Sequence, residues 1–153
     1  MKALVVYYSR TGNTKFIAET LAKNLNCDIE EIVDNKKRKG VVGLASAYFR
    51  PKAPTTIKEM KNDPKNYNLV LIGTPIWWYS SPPAVNAFLT KYNKDIKKAA
   101  FFYTCSADVK HSTIPDMKKL LGKAPVAILG VEAGSINNGA FKKKLETFIK
   151  NVK

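Results

Sequence analysis

A chain of 153 residues, 45% of them hydrophobic, is long enough to fill one core and too short for two ordinary domains, so residues 1–153 read as a single domain. Lys and Arg outnumber Asp and Glu by 26 to 12, a formal net charge of +14, but no RNA-recognition, zinc-finger or helix-turn-helix pattern accompanies the charge, which argues against nucleic acid as the main partner. No apolar run approaches the ~20 residues of a membrane span, and Met1-Lys2 leads straight into an apolar run without a signal-type segment, so a cytoplasmic protein is expected.

Residues 3–8, A-L-V-V-Y-Y, form a run of strand length that breaks into S-R-T-G-N-T, residues 9–14. Ala18, Leu21, Ala22 and Leu25 then take the i, i+3, i+4, i+7 spacing of an amphipathic helix. Residues 27–33 alternate and read as an edge strand. Between positions 36 and 65 stand nine Lys or Arg and two acids, a charge of +7, half of the net total. Within that segment Val41, Leu44, Ala45 and Tyr48 have helical spacing in spite of Gly40 and Gly43, and residues 51–68, rich in Pro, Lys and Asn, read as a surface connection. A third strand is expected over 69–74. Ser80 or Ser81, followed by Pro82, then offers an N-cap and first-turn proline for a helix carrying Val85, Phe88, Leu89 and Tyr92. Strands over 99–103 and 125–131 bracket a helix suggested by Ile114, Met117 and Leu121, and Phe141, Leu145, Phe148, Ile149 and Val152 make one stripe of a last helix.

Five strands alternating with helices mean parallel strands joined by right-handed crossovers, in one doubly wound α/β sheet with helices on both faces. Ligands of such sheets sit beyond the carboxyl ends of the strands, where the strand order reverses. That rule nominates the loops after Tyr8, Thr74 and Thr104.

The first loop reads as an anion seat. Backbone N–H groups at a new helix start lack intrahelical acceptors, and the hydroxyls of Ser9, Thr11 and Thr14 can donate beside them. Gly12 permits close approach or positive φ, and Asn13 tolerates the same geometry; ordinary capping by Ser and Thr is the competing use of these residues. There is no G-K-[ST] element for a nucleoside triphosphate and no G-x-G-x-x-G for a dinucleotide. In the second loop Trp77, Trp78 and Tyr79 either pack on neighbouring helices or wall a planar heterocycle, with Pro75 stiffening the approach. The third loop, residues 104–112, offers backbone groups of Thr104, Cys105 and Ser106, while Asp108, Lys110 and His111 are placed by chain order alone. Cys105 does not begin C-x5-R, because His111 occupies the sixth position after it, and Thr74 stands where a phospho-acceptor receiver domain needs aspartate. Cys27 and Cys105 have neither redox-motif spacing nor histidine neighbours suited to zinc. With no paired carboxylates, metal-ligand cluster or Ser/His/Asp set, no catalytic side chain and no metal are expected, and any redox chemistry must come from a cofactor.

S-R-T-G-N-T resembles the phosphate loop of the flavodoxin-like family, and G-T-P-I-W-W resembles its flavin-stacking loop; the third loop matches by position. The resemblance covers nearly the whole chain. It implies a flavodoxin-like sheet of order 2-1-3-4-5 and non-covalent FMN, whose phosphate meets Ser9, Arg10, Thr11, Gly12, Asn13 and Thr14. Pro75, Ile76, Trp77, Trp78 and Tyr79 then adjoin the isoalloxazine, and Thr104, Cys105 and Ser106 face its pyrimidine side. FMN suits the chain better than FAD, since the loop seats one terminal phosphate and no room is left for an adenosine-binding subdomain.

Two features depart from electron-transfer flavodoxins, which are typically acidic and often carry a glycine beside flavin N5: this chain is basic, and residues 75–81 and 104–111 contain no glycine. The leading expectation is an FMN-binding electron-transfer protein meeting an acidic, ferredoxin-type protein or a small-molecule electron donor or acceptor. The main alternative is an NAD(P)H- or quinone-linked FMN reductase working by hydride transfer. A third reading is an interaction domain without a redox role that docks an acidic partner through residues 36–65.

Overall fold

In the computed structural model, which describes residues 1–36, 55–77, 80–107 and 112–153, the first apolar run becomes β1, Ala3–Tyr7, buried at every position. A strand apolar on both faces belongs in the middle of a parallel sheet. β1 pairs in parallel with β2 (Asp28–Glu31) on one side and with β3 (Leu69–Pro75) on the other. β4 (Ala99–Cys105) follows β3, and β5 (Ile128–Glu132) follows β4. The order is β2-β1-β3-β4-β5, so it reverses between β1 and β3.

Five α-helices accompany these strands among the described residues: α1 (Asn13–Leu25), α2 (Pro83–Tyr92), α3 (Thr113–Leu121), α4 (Ala133–Asn138) and α5 (Phe141–Val152). α1 and α5 bury Ile17, Leu21, Leu145 and Phe148 against Val5, Leu71 and Phe102. α2 and α3 bury Phe88, Leu89 and Met117 against Leu4, Val70, Ile72 and Phe101 on the opposite face. Two glycines admit the large rings of β4. Gly73 stands opposite Phe102 and Gly130 opposite Tyr103, and a Cβ on Gly73 would fall 2.1 Å from Phe102 Cζ while one on Gly130 would fall 2.4 Å from the Tyr103 hydroxyl.

The β2 edge is polar and covered. The Glu30 carboxylate accepts the backbone N–H groups of Lys61 at 2.7 Å and Asn62 at 2.8 Å, which holds the returning segment against the strand. The Tyr67 hydroxyl lies 2.7 Å from Asp28 and 2.9 Å from Asn62 Oδ1, two acceptors for one proton. Burial, followed by the Asp28 carboxylate, pushes the Tyr67 phenol up to about 12. Burial also pushes the Cys27 thiol up to about 11, with Asp28 adding to it.

Three expectations are corrected. α2 has Pro82 at its N-cap and Pro83 as its first residue, one position later than expected, and the Ser81 hydroxyl lies 2.6 Å from Asn86 Oδ1 instead of capping the helix. β5 begins at Ile128 although Val126 N–H already meets the Ala99 carbonyl at 2.8 Å. α4 was not expected at all, because A-G-S-I-N-N has no apolar periodicity and buries none of its residues. The helical spacing at 40–49 lies outside the described residues. Among the described residues, no helix is long and apolar enough to cross a membrane.

Candidate functional site

β1 ends in the middle of the sheet, next to the point where strand order reverses, and its continuation is pinned by the Tyr8 N–H donating to the Gly73 carbonyl at 3.1 Å. The chain then turns over Ser9–Gly12 and enters α1. Gly12 is left-handed, φ 97° and ψ −19°, and forms the N-cap with no side chain capping the helix. Its carbonyl accepts the first helical bond from Phe16 N–H at 2.9 Å, and its own N–H donates to Ser9 Oγ at 3.2 Å. A left-handed residue followed by helical ones turns successive N–H groups towards one concavity, the arrangement that receives anions. A Cβ on Gly12 would meet no atom within 4 Å. The concavity is open. Arg10 and Thr11 are exposed, and Ser9 and Asn13 are half-buried.

Thr14 behaves differently from the other loop residues. It is 1% exposed and Thr104 4% exposed, and their hydroxyl oxygens are 2.7 Å apart across 90 residues of sequence. One hydroxyl donates to the other, so the pair ties the start of α1 to the end of β4 and keeps one proton for another acceptor. Ile76 N–H donates to the Thr104 carbonyl at 2.9 Å, which brings the second loop onto the same residue. Thr104 therefore joins all three loops.

Trp77 is held from the side of the first loop. Tyr8 meets it edge to face, ring centroids 5.6 Å apart, and the Arg10 guanidinium lies 5.5 Å from its ring centroid. Its backbone N–H and carbonyl close a tight turn with Ser80, at 2.8 and 2.9 Å. The loop thus presents a half-buried indole against the first loop, with the Arg10 guanidinium over its ring. Pro75 is the last residue of β3 and pairs in register with Thr104. Cys105 Sγ lies 3.8 Å from the Val131 carbonyl, and Ser106 is exposed at the strand end. Trp78, Tyr79, Asp108, Lys110 and His111 lie outside the described residues, as does the basic stretch 37–54. Of the remaining lysines in that basic segment, Lys36, Lys58 and Lys61 are exposed, and Lys65 pairs with Asp63 at 2.8 Å. Among the described residues, no group of three or more His, Cys, Asp and Glu could hold a metal ion.

The structure brings Ser9, Arg10, Thr11, Gly12, Asn13, Thr14, Pro75, Ile76, Trp77 and Thr104 to one end of the sheet. Tyr8 is the residue that sequence reasoning missed, since it closes the first strand pattern and only its contact with Trp77 gives it a part in the site.

A flavodoxin family model matches residues 2–152, and the chain belongs to that family. No curated protein matches it. Among solved structures, a putative flavoprotein from Bacteroides eggerthii is 24% identical with a TM-score of 0.72, over 96% of this chain and 97% of its own. A flavoprotein from Lactobacillus acidophilus in complex with FMN is 20% identical with a TM-score of 0.71, over 91% and 98%. An NADH:FMN oxidoreductase is 15% identical with a TM-score of 0.60, over 98% and 87%. These likenesses support the fold.

Proposed function

We propose that this chain is an FMN-binding electron-transfer protein that receives the cofactor's phosphate on Ser9, Arg10, Thr11, Gly12, Asn13 and Thr14. Gly12 carries the proposal: a left-handed residue at the start of α1, with no side chain capping the helix and open space where a Cβ would be. The FMN-bound Lactobacillus protein and the family itself support the choice of ligand. The redox chemistry is that of the flavin when bound.

The chain's own residues position and polarise. Ser9, by accepting the Gly12 N–H, keeps its own proton free to donate. The Thr14–Thr104 pair ties the anion-binding turn to the end of β4. Trp77 supplies a flat apolar wall, while Pro75, Ile76, Trp78, Tyr79, Cys105 and Ser106 complete the proposed contacts with the ring. Arg10, lying over Trp77, brings a permanent positive charge to the ring, where it favours any added negative charge.

The purified chain, mixed with FMN and passed through gel filtration, should elute yellow with one flavin per chain. Colourless protein would overturn the proposal. A second measurement separates carrier from reductase: the flavin-loaded chain should oxidise NADH or NADPH slowly alone and pass electrons quickly to or from a redox protein. Rapid steady oxidation of NAD(P)H, or reduction of a quinone without a protein partner, would instead identify a reductase.

A further inference from the structure

We propose that the open edge of β5 is a docking site for an acidic, extended segment of a partner protein, which adds to the sheet as a sixth strand. The ladder fixes which groups are available. Phe101 N–H donates to the Ala127 carbonyl at 3.0 Å, so Ala127 and Leu129 direct their backbone groups at β4, and the alternation turns those of Ile128 and Gly130 outward. β5 is the last strand of the sheet, and no described strand pairs with that side.

Natural edge strands are ordinarily blunted by charge or cover. The opposite edge follows this rule, with Asp28, Glu30 and Glu31 in β2 and a segment clamped over it by Glu30. β5 reads I-L-G-V-E, and its approach is apolar too: Ile128 is 43% and Val126 50% exposed. A cavity of about 600 Å³ lies at this edge, lined by Tyr103, Ile128 and Gly130 and by Lys143, Lys144 and Thr147 of α5. An open groove flanked by backbone groups that no described strand pairs suits a strand better than a small molecule.

Charge selects the occupant. α5 and its C-cap carry Lys142, Lys143, Lys144, Lys150 and Lys153 against Glu146, and none of these lysines forms an ion pair among the described residues. A second copy of this chain would bring two such helices together and be repelled. An acidic segment would be attracted. Glu132 and Cys105 line the carboxyl end of the groove, so a seated partner lies towards the end of the sheet that carries the Gly12 turn.

The test uses the full-length chain and an acetylated, amidated peptide of alternating Glu and Val. Titration should protect the Ile128 and Gly130 amides from hydrogen exchange, with affinity falling as salt rises. Lys143→Glu with Lys144→Glu should weaken binding at least about tenfold, and Ile128→Pro, which removes an outward N–H without breaking the ladder, should abolish it while the melting temperature is retained. If Ile128→Pro unfolds the chain, the peptide N-methylated along one edge replaces it and should fail to bind. The proposal is overturned if no peptide binds, if the N-methylated peptide binds equally well, if a deoxythymidine oligomer binds as tightly, or if the chain alone is a dimer with Ile128 and Gly130 already protected.

Discussion

After β1 the chain offers hydrogen-bond donors that its backbone fixes, whereas after β3 it offers a ring that only its neighbours fix. The Gly12 turn takes its donors from the backbone, a left-handed residue at a helix start. Trp77 depends on an edge-to-face contact with Tyr8 and on Arg10 over its ring, both supplied from the other loop's side. The two halves should therefore contribute differently to recognition: the first discriminates ligands by their anionic group, the second binds any ring of suitable shape.

Breaking the first half should give the largest effect. Gly12→Val places a β-branched residue at φ 97°, where the conformational strain is about 1–3 kcal/mol, so FMN affinity should fall by about ten- to a hundredfold by titration calorimetry, with riboflavin affinity moving much less. Equal losses for both ligands would break the comparison. The link between the halves comes next. Thr104→Val leaves the buried Thr14 hydroxyl without its partner and should destabilise the fold by about 1–3 kcal/mol in urea melts, while adding Thr14→Val should cost little further. A fully additive double variant would show that the 2.7 Å contact does not couple the loops.

Trp77→Leu should have a smaller effect, roughly 1 kcal/mol or fivefold, and it should weaken FMN and riboflavin alike while reducing the quenching of tryptophan fluorescence on binding. The β2 side, away from both halves, should leave ligand binding unchanged and act on stability alone. Tyr67 and Cys27 keep their protons to about 12 and about 11 in the folded chain, against 10.0 and 9.0 ordinarily. Since the protonated forms are the ones favoured by folding, their contribution is complete below pH 9 and is lost as pH rises from 9 to 12. The melting temperature should decline across that window, and Tyr67→Phe should flatten the decline above pH 10.

The same contrast governs what could be read from the sequence. Buried parallel strands announce themselves as apolar runs, and so β1, β3, β4 and β5 and the helix stripes through Leu21, Phe88 and Phe148 were legible, while the polar β2 showed only in its alternation. The Gly12 turn was legible for a related reason, because its chemistry resides in contiguous residues. Contacts between distant residues were not. Thr14 and Thr104 are 90 positions apart, and nothing in either local pattern says that one hydroxyl turns inward to meet the other. Tyr8 looked like the last residue of a strand until Trp77 was placed against it. α4 escaped because a six-residue helix that packs one partly buried apolar residue, Ile136, on the core has no stripe to betray it.

The most direct test of the account compares FMN with riboflavin on the unaltered protein, since the two ligands share a ring and differ in the phosphate. FMN should bind one to one and at least about a hundredfold more tightly, the worth of two or more charge-assisted hydrogen bonds from the Ser9–Thr14 turn. Equal affinities for the two ligands, or riboflavin bound more tightly, would contradict the assignment of that turn as a phosphate seat.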